Sequence, residues 1–142
     1  MQKSISRKMK NVTILLAFAV VGLTGCKKAS TEKSVENSVV EGTWKITLYE
    51  DDSVNETSDY SNLTFTFKDD GTVTAQPGSL TVIYSGTWST SKDSDHVDFN
   101  LFFSQYEDLS DDWEVVNSSD AQLELKDVSG DGSIDKLTFE KI

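Results

Sequence analysis

From Glu41 to the C-terminus, apolar and polar residues alternate with a period of two in eight separate runs. That period puts successive side chains on opposite faces of an extended strand, which an α-helix cannot match. Trp44, Ile46 and Leu48 alternate with Lys45, Thr47 and Tyr49. Leu63, Phe65 and Phe67 alternate with Thr64 and Thr66, and Asp69-Asp70-Gly71 then supplies a hairpin turn into the run from Thr72 to Ala75. Pro77-Gly78 marks a second turn. Leu80, Val82, Tyr84 and Trp88 share one face of a longer run in which Gly86 reads as a bend or bulge. Val97, Phe99, Leu101 and Phe103 alternate with His96, Asp98 and Asn100, and the pairs Trp113/Val115, Leu123/Leu125 and Leu137/Phe139 mark the last three runs. Between the runs only the stretch from Tyr106 to Leu109 suggests a helical turn. The chain's 142 residues are a one-domain length. Strands of this number and spacing predict an all-β domain over 41–142: an eight-stranded antiparallel up-and-down barrel, with a sandwich as the alternative. A barrel of that size is just wide enough for side chains to fill, so a packed interior is expected ahead of a roomy cavity.

The first 25 residues differ in kind. Lys3, Arg7, Lys8 and Lys10 precede an apolar stretch from Val12 to Leu23, the layout of an export signal. No apolar run reaches the roughly 20 residues that a spanning helix needs. Leu23-Thr24-Gly25-Cys26 resembles the bacterial lipobox. That resemblance implies cleavage before Cys26, a diacylglycerol on its thiol and a third acyl chain (such as palmitate) on the new amino group. One acyl chain gives only marginal attachment, whereas three hold a protein on a bilayer. Residues 26–40, rich in Ser, Lys and Glu, are expected to be a flexible tether behind the lipidated cysteine. Lys27 in place of Asp resembles lipoproteins released to the outer membrane. Lys27-Lys28-Ala29-Ser30-Thr31 lacks the acidic run that resembles a surface-export signal in Bacteroidota. The expected location is therefore the cell envelope, at the outer membrane and facing the periplasm.

Charge narrows the partners. The whole chain carries −11, but residues 26–142 hold nine lysines, no arginine and all 24 acids, which gives −15. Such a surface repels phosphate, so nucleic acid is excluded as a partner. A single cysteine excludes an internal disulfide framework and a Cys-rich zinc site. In an up-and-down barrel, alternate loops share an end. Glu50, Asp51, Asp52, Glu56 and Asp59 fall in one loop, Glu107, Asp108, Asp111 and Asp112 in a second, and Asp127, Asp131 and Asp135 in a third. All three loops are predicted at the end opposite the tether. The expected partner there is a cationic protein or peptide, or a cation.

Family residues appear within this pattern. Gly42-Thr43-Trp44 opens the first strand as the Gly-x-Trp motif opens the first strand of lipocalins, and Gly86-Thr87-Trp88 repeats it. With Leu63-Thr64-Phe65-Thr66-Phe67, Trp113 and the closing Asp135-Lys136-Leu137-Thr138-Phe139-Glu140-Lys141, residues 41–142 resemble lipocalin-like lipoproteins of flavobacteria. The resemblance implies a non-enzymatic binding barrel. It also implies a cation stacked on the first-strand Trp, a place that only Lys136 or Lys141 can fill here. A carrier of a small apolar ligand, as lipocalins are, would line its cavity with Phe65, Tyr84, Phe99 and Phe103.

Asp127-Val128-Ser129-Gly130-Asp131-Gly132-Ser133-Ile134-Asp135 resembles the first nine positions of an EF-hand loop, with Asp127, Ser129, Asp131 and Asp135 as calcium ligands. The twelfth position is Thr138 and no helices flank the loop, so a metal-free loop is the favoured reading and no cofactor beyond the lipid is expected. Asp52-Ser53-Val54 resembles the O-glycosylation acceptor of Bacteroidota. The lone histidine, His96, sits at a polar position of its strand. No nucleophile elbow, paired histidine ligands or phosphate loop points to an enzyme.

Overall fold

A computed structural model describes residues 30–142; the export signal, Cys26 and the residues up to 29 lie outside it. The first described element is a helix, α1 (Glu32–Val39). Nine strands follow: β1 (Trp44–Asp51), β2 (Val54–Asn55), β3 (Leu63–Phe67), β4 (Thr72–Pro77), β5 (Tyr84–Asp93), β6 (His96–Phe103), β7 (Asp111–Ser118), β8 (Gln122–Val128) and β9 (Ile134–Lys141). Consecutive strands pair antiparallel, except that β3 skips the two-residue β2 and pairs with β1. β1 then pairs with β9 from Trp44↔Lys141 to Glu50↔Lys136, which closes the predicted eight-stranded barrel, with β2 as a short flap on β1. Closure removes the exposed edges that an open sheet would present.

The alternation explains the core. Phe65, Phe67, Phe99, Phe103, Trp113, Leu123, Leu137 and Phe139 are each at most 1 % exposed. Their rings meet edge-on, as in Phe65–Phe139 at 5.2 Å and Phe67–Phe99 at 5.6 Å between centroids. Outward positions carry charge: Lys126 bonds Glu114 at 3.0 Å and Lys136 bonds Glu50 at 2.8 Å, each across neighbouring strands. Exposed pairs of this kind contribute at most about 1 kcal/mol each.

Four local expectations need correction. A register shift between Ile46 and Leu48 slips β1 by one residue, so Tyr49 is 3 % exposed and takes the core position expected of Leu48. Leu80 and Val82 do not face inward: β5 begins at Tyr84, and they lie in the preceding loop at 54 % and 47 % exposure. Gly86 is no bulge; it pairs in register with Val73 and Phe103. A Cβ there would overlap Phe102 O and stand 2.8 Å from the Phe103 ring, so the residue is small because two strands approach closely.

The fourth correction concerns the tether expected through residue 40. Thr31 caps α1: its Oγ1 accepts from Ser34 N at 3.2 Å, while Ser34 Oγ accepts from Thr31 N at 2.8 Å. Val35 and Val39, four apart on one face, are fully buried. Burying a valine contributes about 1.5–3 kcal/mol, which a flexible segment forgoes. Thr90 Oγ1 donates to Glu36 Oε1 at 2.8 Å, and Trp44 Nε1 donates to Val39 O at 2.9 Å. The helix is docked against the barrel.

The barrel thus has two unlike ends. The α1 end holds the turns 68–71, 94–95 and 119–121. The loop end holds 52–62, 78–83, 104–110 and 129–133. We expect Gly86→Ala to lower unfolding free energy by about 2–3 kcal/mol, the cost of overpacking. Gly130, whose added Cβ meets nothing within 4 Å, should accept Ala within about 0.5 kcal/mol. Urea unfolding of the two variants checks the pair.

Candidate functional site

Alternation continues past the core to the loop end, where each of four adjacent inward columns finishes in an aspartate. Trp113 is followed outward by Asp111, Leu125 by Asp127, Leu137 by Asp135, and Tyr49 by Asp51. Asp127 and Asp135 are register partners. The carboxylates of Asp135, Asp51 and Asp52 have oxygens within 4.8 Å of one another. Asp111 is close enough to Asp127 for that charge to raise its pKa. The result is a continuous acidic row across β7, β8, β9 and β1.

Desolvation, with repulsion among the carboxylates added to it, favours the protonated form of two members of the row. Partial desolvation and then the charges of Asp135, Asp52 and Asp108 hold Asp51 above the ordinary carboxylate range. Desolvation and its hydrogen bond with Asp112 do the same for Asp111. The two-residue turn between β1 and β2 adds strain, since Asp52 and Ser53 both take positive φ, 47° and 69°. Asp52 N is held there by Asp135 Oδ1 at 2.8 Å.

Behind the row stand the chain's four tyrosines, in a chain of ring contacts. Tyr49–Tyr60 centroids are 5.1 Å apart, Tyr60–Tyr106 6.2 Å and Tyr106–Tyr84 5.5 Å. Tyr60 arrives on a short 3-10 turn (Thr57–Tyr60), and a second (Glu107–Leu109) carries the fully buried Leu109. Tyr49 Oη donates to Asp108 O at 2.9 Å. Burial, then the charges of Asp108, Glu56 and Asp59, push the Tyr60 hydroxyl up to about 12. Tyr49 is raised for the same leading reason. These rings plug the loop end.

The sequence-predicted site residues fall as follows. Phe65, Phe99 and Phe103 are at 0 % exposure. Phe103 packs on Phe65 at 6.1 Å and Trp88 stacks on Phe99 at 5.6 Å, so the space expected for an apolar ligand is occupied by rings. Tyr84 is half-buried at the loop-end rim. Two clefts lie outside the barrel instead. One of about 560 Å³ runs between α1 and β5, past Asn37, Asp69 and Ser89. The other, about 220 Å³, lies on the outer face beside His96, Asp98, Glu114 and Lys126.

Of the calcium-loop residues, Asp135 joins Asp51 and Asp52 rather than Asp131. Asp131 Oδ1 is taken by Ser133 N and Oγ at 3.0 and 2.9 Å, and the Ser129 backbone closes the hairpin on Ser133 O and Gly132 N. Ser53 is exposed at the β1–β2 turn. His96 Nε2 lies 3.1 Å from Asp98 Oδ1, and its pKa is raised by its hydrogen bond with Asp95 and then by the charges of Asp98, Glu114 and Asp93. Residue types and spacing place Asp52 in an acidic loop and Tyr84 on an inward face, but not Asp52 beside Asp135 nor the four tyrosines in one plug. No local pattern shows that Tyr60 folds back over the barrel.

A carboxyl raised by folding adds stability when protonated, and that stability is lost as pH rises through the folded pKa. Asp51 and Asp111 are of this kind. Asp70 and Asp131 are held low by hydrogen bonds from Thr72 and Ser133, so their contribution is lost as pH falls. Asp51→Asn plus Asp111→Asn should therefore raise Tm at pH 7 and flatten the gain on mild acidification. Asp70→Asn should reduce the loss at lower pH. Melting curves through the acidic range separate the two.

Lys141 Nζ stands 5.0 Å over the Trp44 ring, so the lysine at the end of β9 fills the cation's place on the first-strand tryptophan. Comparison with curated proteins finds no match. Residues 40–125 match a family model described as a lipocalin-like domain, a generally non-enzymatic barrel fold suited to ligand binding. That match spans more than half of the chain and agrees with the closed eight-stranded barrel: the protein belongs to the lipocalin-like domain family.

Proposed function

We propose that this protein is a non-enzymatic lipoprotein of a bacterial cell envelope whose barrel binds a cationic partner at the loop end. The observation that carries the reading is the row Asp111–Asp127–Asp135–Asp51 at one mouth. Lys126 and Lys136, the two lysines in the strand ends beside it, are already bonded to Glu114 and Glu50. A positive group placed over the row offsets the desolvation and the repulsion that raise Asp51 and Asp111, so cation binding and fold stability reinforce each other. The tightly packed rings support a surface site over an interior one.

Anchoring rests on the lipobox at Cys26. The chain enters through α1, at the end opposite the acids, so acyl chains on Cys26 would turn the acidic row away from the bilayer. The outer membrane, periplasmic face, is the proposed location. Detergent-phase partition and mass spectrometry of the mature protein should find a triacylated N-terminal Cys26, and Cys26→Ala should stay in the aqueous phase. An unlipidated mature N-terminus would remove the anchor.

For the site, titration calorimetry with an oligolysine should detect saturable binding at low salt. Raising ionic strength from about 0.01 M to about 0.15 M shortens the Debye length from about 30 Å to about 8 Å and should weaken binding at least about tenfold. Replacing Asp51, Asp127 and Asp135 by Asn should do the same at constant salt. Binding indifferent to both changes would contradict the reading.

A further inference from the structure

The loop end is also where apolar surface is exposed. Nine large hydrophobic residues among those described are exposed, and seven of them lie at this end: Val54, Leu80, Val82, Ile83, Phe102, Val128 and Ile134. Only Val116 and Ile142 lie elsewhere. Scattered apolar residues on a surface need no explanation, but a concentration at one end marks an interaction site.

Three of them form a strip beside the acidic row. Val128 and Ile134 are Cα partners across β8 and β9, at 51 % and 45 % exposure. Val54, 58 % exposed, pairs with Asp51 across the turn whose Asp52 N is bonded to Asp135, the neighbour of Ile134. Each residue of the strip is therefore next to an aspartate of the row, in sequence or across a ladder. The aspartates end inward columns while Val128 and Ile134 lie on the outer face, so anionic and aliphatic groups flank one rim from its two sides.

We propose that this rim is a docking surface for a basic, amphipathic segment of another protein, whose aliphatic side chains cover Val54, Ile134 and Val128 while its lysines or arginines meet the aspartates. Charge complementarity selects that occupant. An anionic lipid surface would be repelled by the row, and a bare metal ion or polyamine would leave the strip in water. The inference rests on the cationic-partner reading above and deepens it by giving the partner an apolar face.

The test compares an amphipathic leucine–lysine peptide with an oligolysine of equal charge, by fluorescence anisotropy on the domain in lipid-free buffer. The amphipathic peptide should bind at least about tenfold more tightly. Val128→Ser plus Ile134→Ser should erase that advantage and leave oligolysine binding unchanged, with an unaltered Tm as the control for folding. Equal affinity for the two peptides, or an advantage that survives the serine substitutions, overturns the apolar half while the cationic-partner reading stands. If neither peptide binds at low salt, both fall.

Discussion

Barrel closure runs through Trp44. It is the residue at which β1 pairs on both sides, with Phe65 of β3 and with Lys141 of β9. Its ring is fully buried, its indole N–H holds the last turn of α1 through Val39 O, and the Lys141 ammonium stands over its face. The seam between β1 and β3 has this single register pair, against eight between β5 and β6. One large aromatic group thus substitutes for a ladder, and joins the sheet, the helix and the C-terminal strand. An aromatic of that size buries roughly 150–250 Å², enough to make the junction cohere.

From that junction the two ends acquire different work. The α1 end is sealed by Val35 and Val39 and tied by Ser38 to Ser118 at 2.9 Å and by Thr90 to Glu36. The loop end is sealed by tyrosines and Leu109, with the aspartates left beyond the seal. A packed interior and an acidic rim go together: the side chains that fill the barrel leave the charged groups at its end. On the proposed reading, the family fold serves as a platform and recognition at its rim is electrostatic.

Much of this was legible in the residues themselves. Period-two runs such as Leu63–Phe67 and Val97–Phe103 revealed strands because one face of each is buried and the other wet. The Asp69-Asp70-Gly71 turn follows from local chemistry, with Gly71 at φ +81° and Asp70 Oδ1 accepting from Thr72 N. What escaped depends on tertiary contact. The β1 bulge trades Leu48 for Tyr49 because Tyr49 finds Asp108 O and the Tyr60 ring. α1 has few apolar residues and a Ser where a capping box favours Glu, so its only sequence signal was Val35 and Val39 four apart. Leu80 and Val82 obey the strand pattern yet lie before β5, since alternation records what a segment is able to bury and not whether a neighbour covers it. The acidic rim was visible as three loops, but its continuity required register: only the ladder puts Asp127 opposite Asp135.

The most direct test of a peripheral acidic site is the map of where a cation lands. Amide chemical-shift perturbation of the domain by an oligolysine should be concentrated at Asp51, Asp52, Asp111, Asp127 and Asp135 and their loop-end neighbours, with α1 and the phenylalanine core unmoved. Shifts centred on Phe65, Phe99 and Phe103, or on the α1 cleft, would contradict it.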